Sequence, residues 1–445
     1  MAQRALILGA VLTGVGDGSA VQLWRDPDVP TTASVDIDWY TAQAKEAETV
    51  GFDFVFIVDS QFVDATFPHH HLNRLEPISL LSAVAARTER IGLAATISTT
   101  YSEPFDIARR LASLDLISNG RAAWNIVTSM DTRTAGNFSR TDHGDPTERY
   151  RRATESIEVV RALWDSYEDD AFSTDKTSGR FLDPDKLHAL NHHGEFYSVT
   201  GPLNIQRSRQ GQPVLIQAGT SDAGRELSAR IADLVFSFAR TPEEAEELAR
   251  DIVTRSAKHG RGRDDIRFVP ALTSTIAETT EQAHALHRAT LDAAPLERRL
   301  AGLKRAFAGH NFTAQDLDRP LVEVLRDAGD SASSTSAKTI SESVDKGYTL
   351  REHLYATESH WAHFVGSSDD VADEIERWVD TGWVDGFNYF VHAPAQWALF
   401  REQVVPRLVK NNRFRAGYDT ETLREHLRLP FVPNRHTLAR RATNR

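Results

Sequence analysis

The chain has 445 residues, 40% hydrophobic and 26% charged, an ordinary globular composition with room for one large domain or two smaller ones. Its net charge of −12 offers no footprint for nucleic acid or an anionic membrane. No apolar run reaches the roughly 20 residues that span a bilayer, the start Met1-Ala2-Gln3-Arg4-Ala5-Leu6 has no signal-peptide pattern, and there are no cysteines, so a cytoplasmic protein using oxygen and nitrogen groups or a cofactor is expected.

Ala5 to Gly9 reads as a short apolar strand, Asp36 to Val50 as a helix stopped by Gly51, and Phe54 to Val58 as a strand ending in Asp59-Ser60. That is a βαβ unit. The rhythm repeats with a helix from Pro77 to Thr88, a strand from Ile91 to Ile97, a helix from Pro104 to Ser118 and a strand from Arg121 to Val127. Proline suits both helix starts, because the first turn has no partner for the missing N–H. A long amphipathic helix follows over Thr147 to Tyr167, then a strand from Pro213 to Ala218 and a helix from Ser221 to Ile231. Leu234 to Phe238, Ile266 to Leu272 and Gly386 to Phe390 are the remaining strands, with a helix from Pro242 to His259 between the first two. Eight such strands predict a single-domain α/β fold over 1–445, a closed (β/α)8 TIM barrel.

Three stretches fall outside the alternation. Residues 169–212 carry a hairpin pattern and read as a rim insertion. Residues 328–346 are small and polar and read as a mobile segment or a lid. Residues 412–445 form a C-terminal extension whose basic tail either frays or packs on a neighbouring subunit. The run Gly14-Val15-Gly16-Asp17-Gly18 has no helix at the spacing a dinucleotide fingerprint requires and reads as loop.

In a barrel of this kind the site lies at the C-terminal ends of the strands, which selects Asp59, Thr96, Ser98, Asn125, Thr128 and the run Gly219-Thr220-Ser221. Asn125 closes a buried strand, and an unpaired amide there costs about 1 to 3 kcal/mol, so backbone, water or a ligand must satisfy it. The glycine and two hydroxyls at 219–221 open a helix, where they act as an ordinary N-cap or as a phosphate cradle. The consecutive histidines His69-His70-His71 and His192-His193 lack the spacing of ligands on one face, so no metal site is expected; a zinc or iron hydrolase is the rival reading. Trp24, Phe62, Phe67 and Phe138 are candidates for an apolar wall at the mouth. Arg133 and Arg140 either grip a carboxylate or are solvated.

Several segments in order carry a family resemblance: Gly51-Phe52-Asp53 to Asp59-Ser60, Glu76-Pro77-Ile78-Ser79-Leu80-Leu81, Thr88-Glu89-Arg90-Ile91-Gly92-Leu93 and Thr99-Thr100-Tyr101-Ser102-Glu103-Pro104. They continue with Arg109-Arg110-Leu111-Ala112-Ser113-Leu114-Asp115, Gly120-Arg121-Ala122-Ala123-Trp124-Asn125-Ile126-Val127-Thr128-Ser129, Glu148-Arg149-Tyr150-Arg151-Arg152-Ala153, Gln217-Ala218-Gly219-Thr220-Ser221 and Leu423-Arg424-Glu425-His426-Leu427. The chain resembles bacterial luciferase-like flavin monooxygenases, in the branch of nitrilotriacetate, EDTA and dibenzothiophene-sulfone monooxygenases. The resemblance implies FMN, received as FMNH2 from a separate NAD(P)H:flavin reductase, O2 as co-substrate, a small heteroatom-containing, aromatic or aminopolycarboxylate substrate, and a homodimer or homotetramer. It implies that Asp59, Thr96, Asn125 and Tyr150 line the flavin and that Gly219, Thr220 and Ser221 hold its phosphate. Asn125 and Thr96 then face the isoalloxazine edge where oxygen adds. The family's histidine four residues before that tyrosine is Pro146 here; His143 is the candidate replacement. The alternatives are a deazaflavin-dependent oxidoreductase and a flavin-binding protein without turnover.

Overall fold

Apolar runs without polar alternation need cover on both faces, and each of the eight expected runs is a strand of one parallel sheet in the computed structural model. The structure describes residues 5–443 except 17–19, 21–22, 66, 130, 294, 301–302, 305–306, 308–309, 330–336 and 359–360. The strands are β1 (Ile7–Leu12), β2 (Phe54–Ile57), β3 (Gly92–Ser98), β4 (Ala122–Val127), β5 (Val214–Gln217), β6 (Leu234–Ser237), β7 (Arg267–Ile276) and β8 (Gly386–Val391). They pair in sequence order, and β8 returns to β1 with Ile7 opposite Gly386, which closes the barrel. Helices Ile37–Thr49, Pro77–Ala85, Pro104–Ile117, Pro146–Trp164, Asp222–Ile231 and Pro242–Ser256 fill the connections.

Two boundaries move. β1 starts two residues later than expected and runs through Val11 and Leu12, which prolong the buried run. β7 extends to Ile276, and an unexpected ninth strand, Ala362–Gly366, pairs with its far half. Two of that strand's five positions, His363 and Val365, are partly exposed, so it lacks the continuous buried run of the barrel strands beside it. Between β7 and this strand stand helices Thr280–Ala293, Leu321–Ala328, Ala337–Asp345 and Leu350–Glu358, around a separate apolar cluster that includes Leu303, Phe312, Leu321 and Leu350. Of the segment 328–346, residues 330–336 lie outside the described residues and Ala337–Asp345 is helical.

The insertion at 169–212 contains the antiparallel pair His192–His193 and Ser198–Val199. Its hairpin lies along helix Pro146–Trp164, whose Glu155 accepts from Phe196 N and Tyr197 N and bonds the His192 ring. From there the chain descends to the opposite end of the barrel, where Gln210 donates to Asp115.

Alternation along the strands separates two cores. Ile7, Phe54, Phe56, Ala94, Ala123, Val214, Ile216, Phe236 and Phe390 point into the barrel, whereas Leu8, Val55, Leu93, Trp124 and Leu215 meet the helices. The C-terminal extension stops the bottom. Leu423, Leu427 and Leu429 join the barrel interior, and Gly92 is a glycine because a Cβ there would lie 2.5 Å from Leu423 Cδ1. The basic tail forms helix Arg435–Thr443 on its own chain: Arg440 pairs with Glu168, and Asn434 Nδ2 donates to the carbonyls of Asp165 and Tyr167.

Candidate functional site

Strand parity selects the uppermost inward residues. Asn125 lies two residues beyond inward Ala123, and Thr96 two beyond inward Ala94, so both face into the barrel at its C-terminal end, directly opposite each other in the β3–β4 register. Asn125 Nδ2 donates to Thr96 Oγ1 at 2.9 Å, and Thr96 donates onward to the Ile57 carbonyl at 2.7 Å. Asn125 is 5% exposed, and its Oδ1 is buried without a partner among the described residues. A buried acceptor left unpaired is a costly feature in a folded chain and marks a place for a donor from outside it.

On the β2 side, Asp59 Oδ1 lies 3.1 Å from Arg74 Nη2. Burial pushes its carboxyl up to about 6 and outweighs the opposing charge of Arg74. Arg74 also donates to the Ser60 carbonyl and contacts the His71 ring. His70 is buried against Ser34 Oγ, and His69 tilts against Trp24 at the edge of a cleft of about 220 Å³ that also includes Thr32, Ser34 and Leu72. His192 is spent on Glu155. Among the described residues no cluster of His, Asp or Glu gathers to hold a metal ion.

His143 reaches the mouth from the connection after β4. Its Nδ1 is 2.5 Å from the Tyr101 hydroxyl and its Nε2 is 3.2 Å from the Ser129 carbonyl. A carbonyl can only accept, so Nε2 carries the proton and Nδ1 accepts from Tyr101. Burial, reinforced by the charge of Arg149, holds the imidazole below its usual pKa, which favours the neutral ring. Ser129 has a left-handed backbone, φ 52°, and its hydroxyl meets Ser98 Oγ at 2.7 Å. Thr128 contributes its carbonyl, which accepts from Thr100 Oγ1 at 2.7 Å.

After β5, Ser221 caps helix Asp222–Ile231, accepting from Gly224 N at 3.2 Å, and its hydroxyl lies 3.4 Å from Tyr150 Oη. Asp222 in the first turn opposes an anion, but Arg255 pairs with it at 2.8 Å. Gly219 must be glycine: a Cβ would sit 2.9 Å from both Gly224 Cα and Tyr150 Oη. The N-cap and cradle readings of Ser221 are compatible, since Ser221 takes one of the first-turn N–H groups while it and Thr220 stay exposed at the helix N-terminus.

The structure thus brings Thr96, Asn125 and the Ile57 carbonyl into direct contact, joins Tyr150 to Ser221 and Gly219, and sets Asp59 and His143 in separate pairs around the same mouth. Sequence reasoning misses Tyr101, although it lies within Thr99-Thr100-Tyr101-Ser102-Glu103-Pro104, and the aromatic set Phe236, Phe238, Trp361 and Phe390. Trp361 stacks on Phe390 at 4.7 Å, and Phe238, the next inward position above Phe236, is half exposed. Parity would have found Phe238 and Phe390; nothing local predicts Trp361. Of the nominated wall, Phe138 stacks on Tyr101 at 4.7 Å, whereas Phe62 and Phe67 pack on each other beneath Arg133. The orphaned acceptor at Asn125, the neutral donors around it and the cradle at 219–221 form a donor set that fits a flavin mononucleotide.

A family model described as luciferase-like monooxygenase matches residues 20–384. The chain is 42% identical to an N-acetyl-S-(2-succino)cysteine monooxygenase of Bacillus subtilis (strain 168), over 98% of this chain and 99% of that one. It is 37% identical to nitrilotriacetate monooxygenase component A of Aminobacter aminovorans, over 91% and 93%. The solved structure of a riboflavin lyase with modified FMN and riboflavin superposes with a TM-score of 0.78 at 30% identity, covering 95% and 96%.

Proposed function

The chain belongs to the luciferase-like monooxygenase family, and from that premise we propose that it is the oxygenating component of a two-component system, using FMNH2 and O2 to oxygenate a small heteroatom-containing organic compound. A separate NAD(P)H:flavin reductase supplies the reduced flavin in the cytoplasm, and the enzyme works as a homodimer or homotetramer. The observation that carries the reading is the buried, unpaired Asn125 Oδ1 at the mouth, with an anion cradle one strand away.

Reduced FMN, when bound, supplies the electrons that activate O2. Gly219, Thr220 and Ser221 hold its phosphate at the helix N-terminus, with Tyr150 Oη steadying Ser221. Asn125 offers an acceptor to the ring edge, and Thr96 keeps that amide from turning because it is itself anchored on Ile57. Asp59 lines the same pocket. His143 stays neutral, accepts the Tyr101 hydroxyl's hydrogen bond at Nδ1 and thereby fixes the hydroxyl's direction. Phe238, Trp361 and Phe390 exclude water from the reacting centre.

The test combines the purified chain, FMN, a flavin reductase and NADH under ¹⁸O2 with sulfur- and nitrogen-containing substrates. One labelled oxygen in the product is expected. Substrate oxidation without label overturns oxygenation and selects hydride chemistry. Absence of FMN binding, read by fluorescence quenching, overturns the cofactor assignment.

A further inference from the structure

Arginines crowd the mouth, and most are neutralised. Arg74 pairs with Asp59, Arg133 with both Asp131 and Asp64 at 2.7 and 2.6 Å, and Arg225 with Asp251 at 3.0 Å. Arg140 differs. Its Nη1 donates to the Thr100 carbonyl at 2.7 Å and its guanidinium carbon stands 5.4 Å from the Tyr101 ring centroid, yet no carboxylate of the described residues pairs with it. The side chain is half buried, and its Nε and Nη2 donors have no partner among the described residues. A guanidinium held in place by a carbonyl and an aromatic face, with one donor edge left over, matches the two oxygens of a carboxylate. Arg149 adds to the same positive field: it donates to the Gly144 carbonyl, also lacks a carboxylate among the described residues, and keeps a buried Nε unpaired.

Position separates this charge from the phosphate cradle. Arg140 is tied to Thr100, just past β3, whereas the cradle follows β5, two strands away and roughly 10 Å along the sheet. Asn125 on β4 lies between them. A single phosphate on the cradle leaves Arg140 without its anion.

Resting on the monooxygenase reading above, we propose that Arg140 is the specificity-determining residue of this enzyme and binds a carboxylate of the substrate, so that the substrates are anionic heteroatom compounds. Two named carboxylates among relatives' substrates, N-acetyl-S-(2-succino)cysteine and nitrilotriacetate, are suitable probes.

Calorimetric titration of the FMN-loaded protein with each acid and with its methyl esters tests this without turnover. At least one acid binds ten-fold or more tighter than its ester, and Arg140→Met erases that difference while FMN affinity stays within two-fold. Arg140→Lys restores part of the preference, because a point charge replaces the fork. Arg133→Met, which removes an already neutralised cation, leaves the preference intact. The proposal is overturned if acids and esters bind alike to the wild type, if Arg140→Met weakens both equally, or if that variant chiefly loses FMN. Circular dichroism melts of each variant distinguish misfolding from lost recognition, and a misfolded Arg140→Met shifts the decision to Arg140→Lys. An intact acid preference alongside unlabelled product refutes the oxygenase reading alone.

Discussion

The two ends of the barrel are built on opposite rules. At the N-terminal end, carboxylates close off the strand entries. Asp53, Asp233 and Asp385 accept from Leu8, Leu215 and Phe268 N–H groups at 2.8, 2.9 and 2.8 Å, and each is matched by an arginine: Arg415, Arg424 and Arg263 at 3.0, 2.6 and 3.0 Å. At the C-terminal end an amide oxygen and a guanidinium edge stand without protein partners among the described residues, beside a helix N-terminus capped only by Ser221. The saturated end resists opening; the unsaturated end gains by meeting a ligand. Stability and recognition are thus separated along the barrel axis.

The separation breaks most visibly at Arg424, which is almost fully buried and also donates to the Gln212 carbonyl. Arg424→Met strands Asp233 without its partner, and about 3 to 5 kcal/mol of unfolding free energy should disappear in urea titrations, with turnover per folded molecule unchanged. A loss of turnover at full stability would join the two ends functionally and end the contrast.

Asn125→Ala is the converse test. Unfolding free energy should change by no more than about 1 kcal/mol, since the amide makes one neutral bond, while FMN affinity falls at least about ten-fold, equivalent to roughly 1.4 kcal/mol. Equal FMN binding with lower stability would make the residue a strand cap.

A smaller effect sharpens the contrast through pH. Burial pushes Asp115, at the closed end, up to about 6, where it accepts from Ala122 N and Gln210. Between about pH 4 and 6 the folded chain keeps a proton that the unfolded chain releases, so stability falls as pH rises, by at most about 1.4 kcal/mol per unit, and levels off above 6. Asp115→Asn, which keeps the accepting oxygen, should flatten that slope in urea midpoints measured from pH 4 to 7. Asp59, held near the same value at the open end, is more accessible and paired with Arg74, and its titration belongs to the site.

Much of the fold is visible in strand composition. Phe54-Val55-Phe56-Ile57 and Ala122-Ala123-Trp124-Asn125 need cover on both faces, and eight such runs separated by helices leave few arrangements. Parity then points Asn125 and Thr96 inward. The chain between 277 and 361 offers no comparable rhythm, because its helices cover a small local cluster instead of the barrel, and the strand Ala362–Gly366 behind it went unseen. The histidine role is not local, since His143 and Tyr101 are 42 residues apart; Arg133 is held by its near neighbour Asp131 and also by Asp64, 69 residues away.

By itself, then, the sequence determined what local chemistry can determine: strands that must be buried, helices that start at proline, a glycine that admits a helix end, and one amide with no place in an apolar strand. Tertiary structure decided which charges are spent. Alternation and capping act over a few residues of chain, but an ion pair depends on who arrives from far along it. Arg424 meets Asp233 across 191 residues, and no carboxylate among the described residues arrives at Arg140 in the same way.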